Sequence, residues 1–277
     1  MGTILIPVSY IFFWKERTFM KTLLNIVYRP EYPEICLVDF FLPDSDSPAP
    51  LFVYLHGGGL EAGSRHCSFL YDLPERYGIA VASVEYRMYP DAHYPDFVED
   101  SAASVSFIRD YAREHLPYLD VDNRLFVGGS SAGGYLSMML CFAPQFLGKY
   151  GMKPTDIAGY IHDAGQPTIH FNVLREHGLD TRLVRIDDSA PLWYIDHTPQ
   201  PEDVPRMCIL YSENDMPNRP EQLALLYRTM AHFAYPMEKI EMHYFPGYGH
   251  CGYINANDTD GINVFCKTVA PFIRGTK

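Results

Sequence analysis

Basic residues are scarce in this chain: 22 Lys and Arg stand against 34 Asp and Glu, a formal charge of -12 at pH 7. Such an average field repels a polyanion, so nucleic acid is not an expected partner. Long apolar runs are missing as well. The longest near the start, Ile4–Trp14, contains Pro7 and Ser9 and has no basic stretch before it. It is too short to span a bilayer, so neither a signal peptide nor a membrane span is expected. Its apolar character still leaves a secreted form open, and so does a folded part that begins at Met20–Lys21, with residues 1–19 a loosely attached extension. Paired cysteine spacing is absent too. Cys36, Cys67, Cys141, Cys208, Cys251 and Cys266 are scattered, with no C-x-x-C pair. That excludes a zinc ribbon and a disulfide framework, and it points to free thiols in a reducing compartment, the cytoplasm. The eleven histidines form no H-E-x-x-H and no clustered ligand spacing, so no metal and no cofactor is expected.

Repeats, low-complexity tracts and long polar linkers are also lacking, which favours one domain over residues 1–277. A chain near this length buries roughly three quarters of its unfolded surface, so core size is no limitation. Short apolar runs alternate with helical patterns. Strands are expected over Ile35–Leu42, ended by Pro43 and a loop Asp44–Pro50, then over Leu51–Leu55, Ile79–Val84, Arg124–Val127, Ile157–Ile161, Met207–Tyr211 and Lys239–Phe245. Helices are expected from Asp96 to about Glu114, from Tyr135 to Phe142 and from Pro220 to about Phe233. The first of these has a capping-box spacing, Asp96 to Glu99. Strands without alternation, covered on both faces, imply an α/β fold with a mostly parallel sheet flanked by helices. The irregular stretch from about 145 to 205 reads as a small cap-like excursion over a site, or as a surface elaboration.

Ser131 sits in Gly129-Ser130-Ser131-Ala132-Gly133, a G-x-S-x-G turn between a strand and a helix. A nucleophile on so tight a turn is held in a strained conformation, and small residues on either side let neighbouring segments pass. The helix N-terminus points N–H groups at a developing oxyanion, and Ala132 N–H is one such donor. Upstream, His56-Gly57-Gly58-Gly59 follows another strand, where glycines let backbone N–H groups reach a substrate oxygen. Two such glycine donors together with Ala132 would make a three-donor oxyanion hole.

A serine hydroxyl needs a base near pKa 7, oriented by a third group that favours the imidazolium. His250 follows the last strand in the turn-rich Phe245-Pro246-Gly247-Tyr248-Gly249-His250. Asp215 follows the Met207–Tyr211 strand, with Glu213 as its rival. All these loops leave C-terminal strand ends, where one crevice can hold them. The order Ser, Asp, His fits a hydrolase.

Through His56-Gly57-Gly58-Gly59, Tyr86-Arg87 with Pro90, Gly129-x-Ser131-Ala132-Gly133-Gly134, Asp215 and His250, the chain resembles the α/β-hydrolase superfamily, and within it the hormone-sensitive-lipase-like esterases. The likeness runs from about Ile35 to the C-terminus. It implies an α/β-hydrolase fold, Ser131 as nucleophile, His250 as base, Asp215 as orienting acid, Gly58, Gly59 and Ala132 as oxyanion donors, and His56 as a brace for the Gly57 loop. The chain departs from the family pattern at Ser130, where an acidic residue is common, and at Leu60, where an aromatic is. On this resemblance the family's large N-terminal cap is expected to be missing or reduced. The expected activity is hydrolysis of small carboxylic esters through an acyl-enzyme. An amidase or peptidase, and a non-catalytic ligand-binding protein on the same scaffold, stay open, as does a homodimer.

Overall fold

The computed structural model describes residues 20–44 and 48–275. The apolar run Ile4–Trp14, the extension expected for residues 1–19, and residues 45–47 of the Asp44–Pro50 loop lie outside them. In chain order the elements are β1 (Lys21–Val27), β2 (Leu37–Leu42), β3 (Leu51–Leu55), α1 (Asp72–Tyr77), β4 (Ala80–Val84), α2 (Asp96–His115), β5 (Leu125–Ser130), α3 (Ala132–Phe142), α4 (Pro144–Gly148), β6 (Gly159–Asp163), α5 (Phe171–Glu176), β7 (Met207–Asn214), α6 (Arg219–His232), β8 (Ile240–Gly249) and α7 (Val264–Arg274).

The eight strands form one sheet in the order β1-β2-β4-β3-β5-β6-β7-β8. β1 and β2 pair antiparallel with each other, β2 pairs antiparallel with β4, and every later pairing is parallel. The continuous apolar runs of the central strands follow from cover on both faces. In β3, Leu51, Val53 and Leu55 point into one core, with Val98, Val105 and Ile108 of α2 and Leu136 of α3. Phe52 and Tyr54 point into the other, with Leu73 of α1 and Phe265, Val269 and Phe272 of α7. The alternation is that of any strand, since successive side chains leave opposite faces. Its polar phase is simply missing. No helix of the described residues is long and apolar enough to cross a membrane.

The strands stand where the sequence predicts them, with no end shifted by more than four residues. β1 is unforeseen because it is an edge strand, largely exposed, with no buried alternation to betray it. The helices α1, α4, α5 and α7 are unforeseen as well. The Asp96–Glu99 capping box does not form: Glu99 N–H donates instead to the Pro95 carbonyl at 3.0 Å, and the Asp96 carboxylate turns back to the His93 N–H and Arg87. α3 starts three residues earlier than expected, because Gly133 and Gly134 serve packing and do not break the helix. A Cβ on Gly133 would lie 1.9 Å from the Leu55 carbonyl oxygen, and one on Gly134 2.5 Å from that of Asp163.

Candidate active site

β5 ends at Ser130 and α3 begins at Ala132, so Ser131 alone makes the turn. Its backbone takes φ 57° and ψ -111°, outside the regions that L-residues favour. The strain, typically of order 1–3 kcal/mol at such a residue, is held in place by the surrounding main chain. Ser131 N–H donates to the Asp163 carbonyl at 2.7 Å, and the Ser131 carbonyl accepts Tyr135 N–H at 3.0 Å. A Cβ on Gly129 would fall 2.2 Å from the Leu55 oxygen, so no larger residue fits beneath the turn.

His250 follows β8 directly, and its Nε2 lies 2.7 Å from Ser131 Oγ. Its Nδ1 lies 2.5 Å from Asp215 Oδ1. Burial pushes the Asp215 carboxyl up. The His250 hydrogen bond and charge, the Met216 N–H at 2.7 Å and the nearby Arg219 outweigh burial and hold it below its ordinary value. An ionised Asp215 accepts the Nδ1 proton, which leaves the Nε2 lone pair facing the serine hydroxyl. Glu213, the rival acid, sits elsewhere: it is exposed and accepts Gly247 N–H at 2.8 Å.

The Gly57–Gly59 loop closes the other side. Its three carbonyls are all engaged by protein groups. Gly57 O lies 2.7 Å from His56 Nδ1, Gly58 O accepts Ala62 N–H at 3.0 Å, and Gly59 O accepts Asn172 Nδ2 at 3.0 Å. These bonds fix the peptide planes. Gly58 has φ 118°, and a Cβ there would strike the Ala62 oxygen at 1.9 Å. His56 lies behind the loop, with Nε2 3.1 Å from Glu85 Oε1 and its ring stacked on Tyr86. Burial raises the Glu85 carboxyl, but the His56 hydrogen bond and charge together with the Arg65 N–H and charge outweigh it, so Glu85 sits low. Ala132 is fully buried at the first position of α3, where a backbone N–H has no partner within the helix.

The open cleft over these groups has a volume of about 550 Å³ and is lined by Gly57, Gly58, Gly59, Ser131 and His250, with Phe69, Phe171 and Ile254 as apolar walls. A second cavity, about 500 Å³, lies by Cys141, Trp193, Tyr235 and Met207 at the opposite end of β7 and holds none of these groups. Chemistry, not size, distinguishes the first. Leu60 is buried in the core and does not line the cleft.

Sequence reasoning missed three groups here. Phe171, at the start of α5, packs so close to Gly59 that a Cβ on that glycine would meet its ring at 2.8 Å. Cys251, with Sγ 3.8 Å from His250 Nε2, is buried, and burial pushes its thiol well above the usual range, so it stays protonated. Asp163 ends β6 directly beside Ser130 in the sheet register. Burial pushes its carboxyl up to about 6, against hydrogen bonds from Ser130 and Tyr253 that lower it. A carboxylate closing an apolar strand next to the nucleophile strand was the available signal.

A family model described as BD-FAE matches residues 38–158. The carboxylic ester hydrolase LipN of Mycobacterium tuberculosis is 30% identical over 123 residues, which cover 44% of this chain and 32% of LipN. The matched segments span about a third of the length of the curated relatives. Among solved structures, a bacterial heroin esterase superposes with a TM-score of 0.64 at 22% identity, covering 95% of this chain and 86% of that one. Esterase B from Lactobacillus Rhamnosis gives a TM-score of 0.72 at 15% identity, covering 91% and 85%. The chain has the α/β-hydrolase fold. With the BD-FAE and LipN matches, this bears out the hormone-sensitive-lipase-like resemblance of the His56-Gly57-Gly58-Gly59 and Gly129-x-Ser131-Ala132-Gly133-Gly134 motifs.

Proposed function

We propose that this α/β-hydrolase is a serine carboxylic-ester hydrolase acting on small esters. The observation that carries the reading is the continuous relay Ser131 Oγ, His250 Nε2, His250 Nδ1, Asp215 Oδ1, with contacts of 2.7 and 2.5 Å, opening onto the Gly57–Gly59 loop. Ser131 Oγ attacks the ester carbonyl as its proton passes to Nε2, and the carbonyl oxygen becomes an oxyanion facing the N–H groups of Gly58, Gly59 and Ala132. Collapse breaks the bond to the alcohol oxygen, which takes the proton from Nε2 and leaves, with the acyl group on Ser131. Water, deprotonated by Nε2, then repeats the addition. The acid departs and Ser131 is restored. Asp215 stabilises the imidazolium at both stages without itself being protonated.

The matched relative LipN, by its name a carboxylic ester hydrolase, supports ester over amide. We further read the described chain as one hydrolase domain, with the segment between β6 and β7 as a small cap, since Phe171 and Asn172 from it reach Gly59. A cytoplasmic location accords with six free thiols. The test is labelling by a fluorophosphonate together with turnover of p-nitrophenyl acetate. The expected result is an adduct on Ser131 and turnover that Ser131→Ala lowers by about 10⁴ to 10⁶. Undiminished turnover in a folded Ser131→Ala protein overturns the assignment, and an amide turned over faster than its ester overturns the substrate class.

A further inference from the structure

The nucleophile and the base follow strands that are not neighbours: β6 and β7 stand between β5 and β8. The two residues are 119 positions apart. Something must hold the serine and the imidazole in register across that gap. Asp163 is placed to do so. It is fully buried at the C-terminal end of β6. Its Oδ2 accepts the Ser130 hydroxyl, its Oδ1 accepts the Tyr253 hydroxyl, and its main-chain carbonyl accepts Ser131 N–H. Ser130 immediately precedes the nucleophile. Tyr253 belongs to the short turn Gly252–Asn255 that follows His250, and its ring stacks on Phe245 of β8 with centroids 3.9 Å apart.

We propose that Asp163 is a positioning residue for the hydrolytic reaction, its two carboxylate oxygens tying the turn that carries Ser131 to the segment that carries His250. The inference rests on reading Ser131 and His250 as nucleophile and base. Burying a carboxylate is costly unless it is paired, and among the described residues no lysine or arginine pairs with Asp163. What the site gains from this residue type is two acceptor oxygens pointing opposite ways. An amide of the same shape keeps one acceptor and puts a donor in the other place, so one of the two hydroxyls must reverse its hydrogen bond and the link is re-oriented. A shift approaching 1 Å between reacting groups costs up to about 10²-fold in rate. The link therefore acts on the chemical step, not on substrate binding.

The full chain and its Asp163→Asn, Tyr253→Phe, Ser130→Ala and Asp163→Asn/Tyr253→Phe variants are compared by steady-state kinetics on p-nitrophenyl acetate and by the rate of fluorophosphonate labelling. Each single variant is expected to lose roughly 10- to 100-fold in kcat and in labelling rate, with KM held within about twofold. The double variant should be no worse than Asp163→Asn alone, because both changes break one link. Wild-type kcat in Asp163→Asn, a loss carried by KM, or losses that multiply would overturn the proposal. Urea unfolding identifies any variant that fails to fold. If Asp163→Asn does, the two hydroxyl deletions decide by the same criteria. Ser131→Ala separates the two levels: if it is fully active, the reading of the site fails. If it is inactive while Asp163→Asn keeps wild-type kcat, only the positioning role fails.

Discussion

The Tyr86 hydroxyl donates to the His56 carbonyl at 2.8 Å, and the two rings stack with centroids 4.4 Å apart and planes 14° from parallel. Tyr86, two residues beyond β4, thus clamps the residue that leads into the glycine loop through both its main chain and its side chain. Removing the hydroxyl keeps the stack and leaves a buried carbonyl without its donor. Tyr86→Phe is therefore expected to lose about 1–3 kcal/mol of stability, read from urea unfolding. An unchanged unfolding midpoint would mean that the clamp resides in the stacked rings alone.

Asp215 and Glu213 are two residues apart, and geometry gives them different tasks. Only Asp215 meets His250, while Glu213 accepts the Gly247 N–H. Asp215→Asn should present the wrong tautomer of His250 to Ser131 and lower kcat by about 10⁴. Glu213→Gln, an exposed change away from the relay, should stay within about twofold of wild type. Kinetics of the two variants on one ester check both numbers, and equal losses would contradict the assignment.

Gly58→Ala tests the loop as an oxyanion site. The added methyl would sit 1.9 Å from the Ala62 oxygen at φ 118°, so the loop must move. Displacing a donor at that site should cost about 10² to 10³ in kcat, and the labelling rate should fall with it. Ester turnover at wild-type rate would remove the glycine N–H groups from the mechanism.

Asp163 and Asp215 shift in opposite directions and so bend the stability profile oppositely. Asp215 lies below its unfolded value, so its contribution is complete above the ordinary carboxyl range and is lost as pH falls through its folded value. Asp163 is raised to about 6. Between an unfolded carboxyl near pH 4 and that value, the folded chain holds the extra proton, so this residue's contribution declines as pH rises and is flat above. Asp163→Asn should remove that decline. Urea unfolding at steps from pH 4 to 7 measures the wild-type minus variant difference, and a difference that does not change with pH would contradict the shift.

Much of this arrangement was legible before any coordinate. Buried strands announce themselves as unbroken apolar runs, and the turn around Ser131 and the loop after His56 carry short glycine signatures whose chemistry is local. Asp215 and His250 could be picked out because they follow strands. What escaped was decided by neighbours far away in sequence. The start of α3 depended on backbone passing within reach of Gly133. The value of Asp163 depended on a tyrosine 90 positions away. No pattern within a window of ten residues contains such information.

The nucleophile turn and the glycine loop press main chain on main chain: a Cβ on Gly57 would stand 2.9 Å from the Ser130 oxygen, and one on Gly133 1.9 Å from the Leu55 oxygen. Neither segment has room to be re-sculpted by substitution. Diversification of what the cleft accepts is therefore channelled to Phe69, Phe171 and Ile254, which contribute side chains, not backbone, to its walls and can be exchanged while the reacting groups stay put.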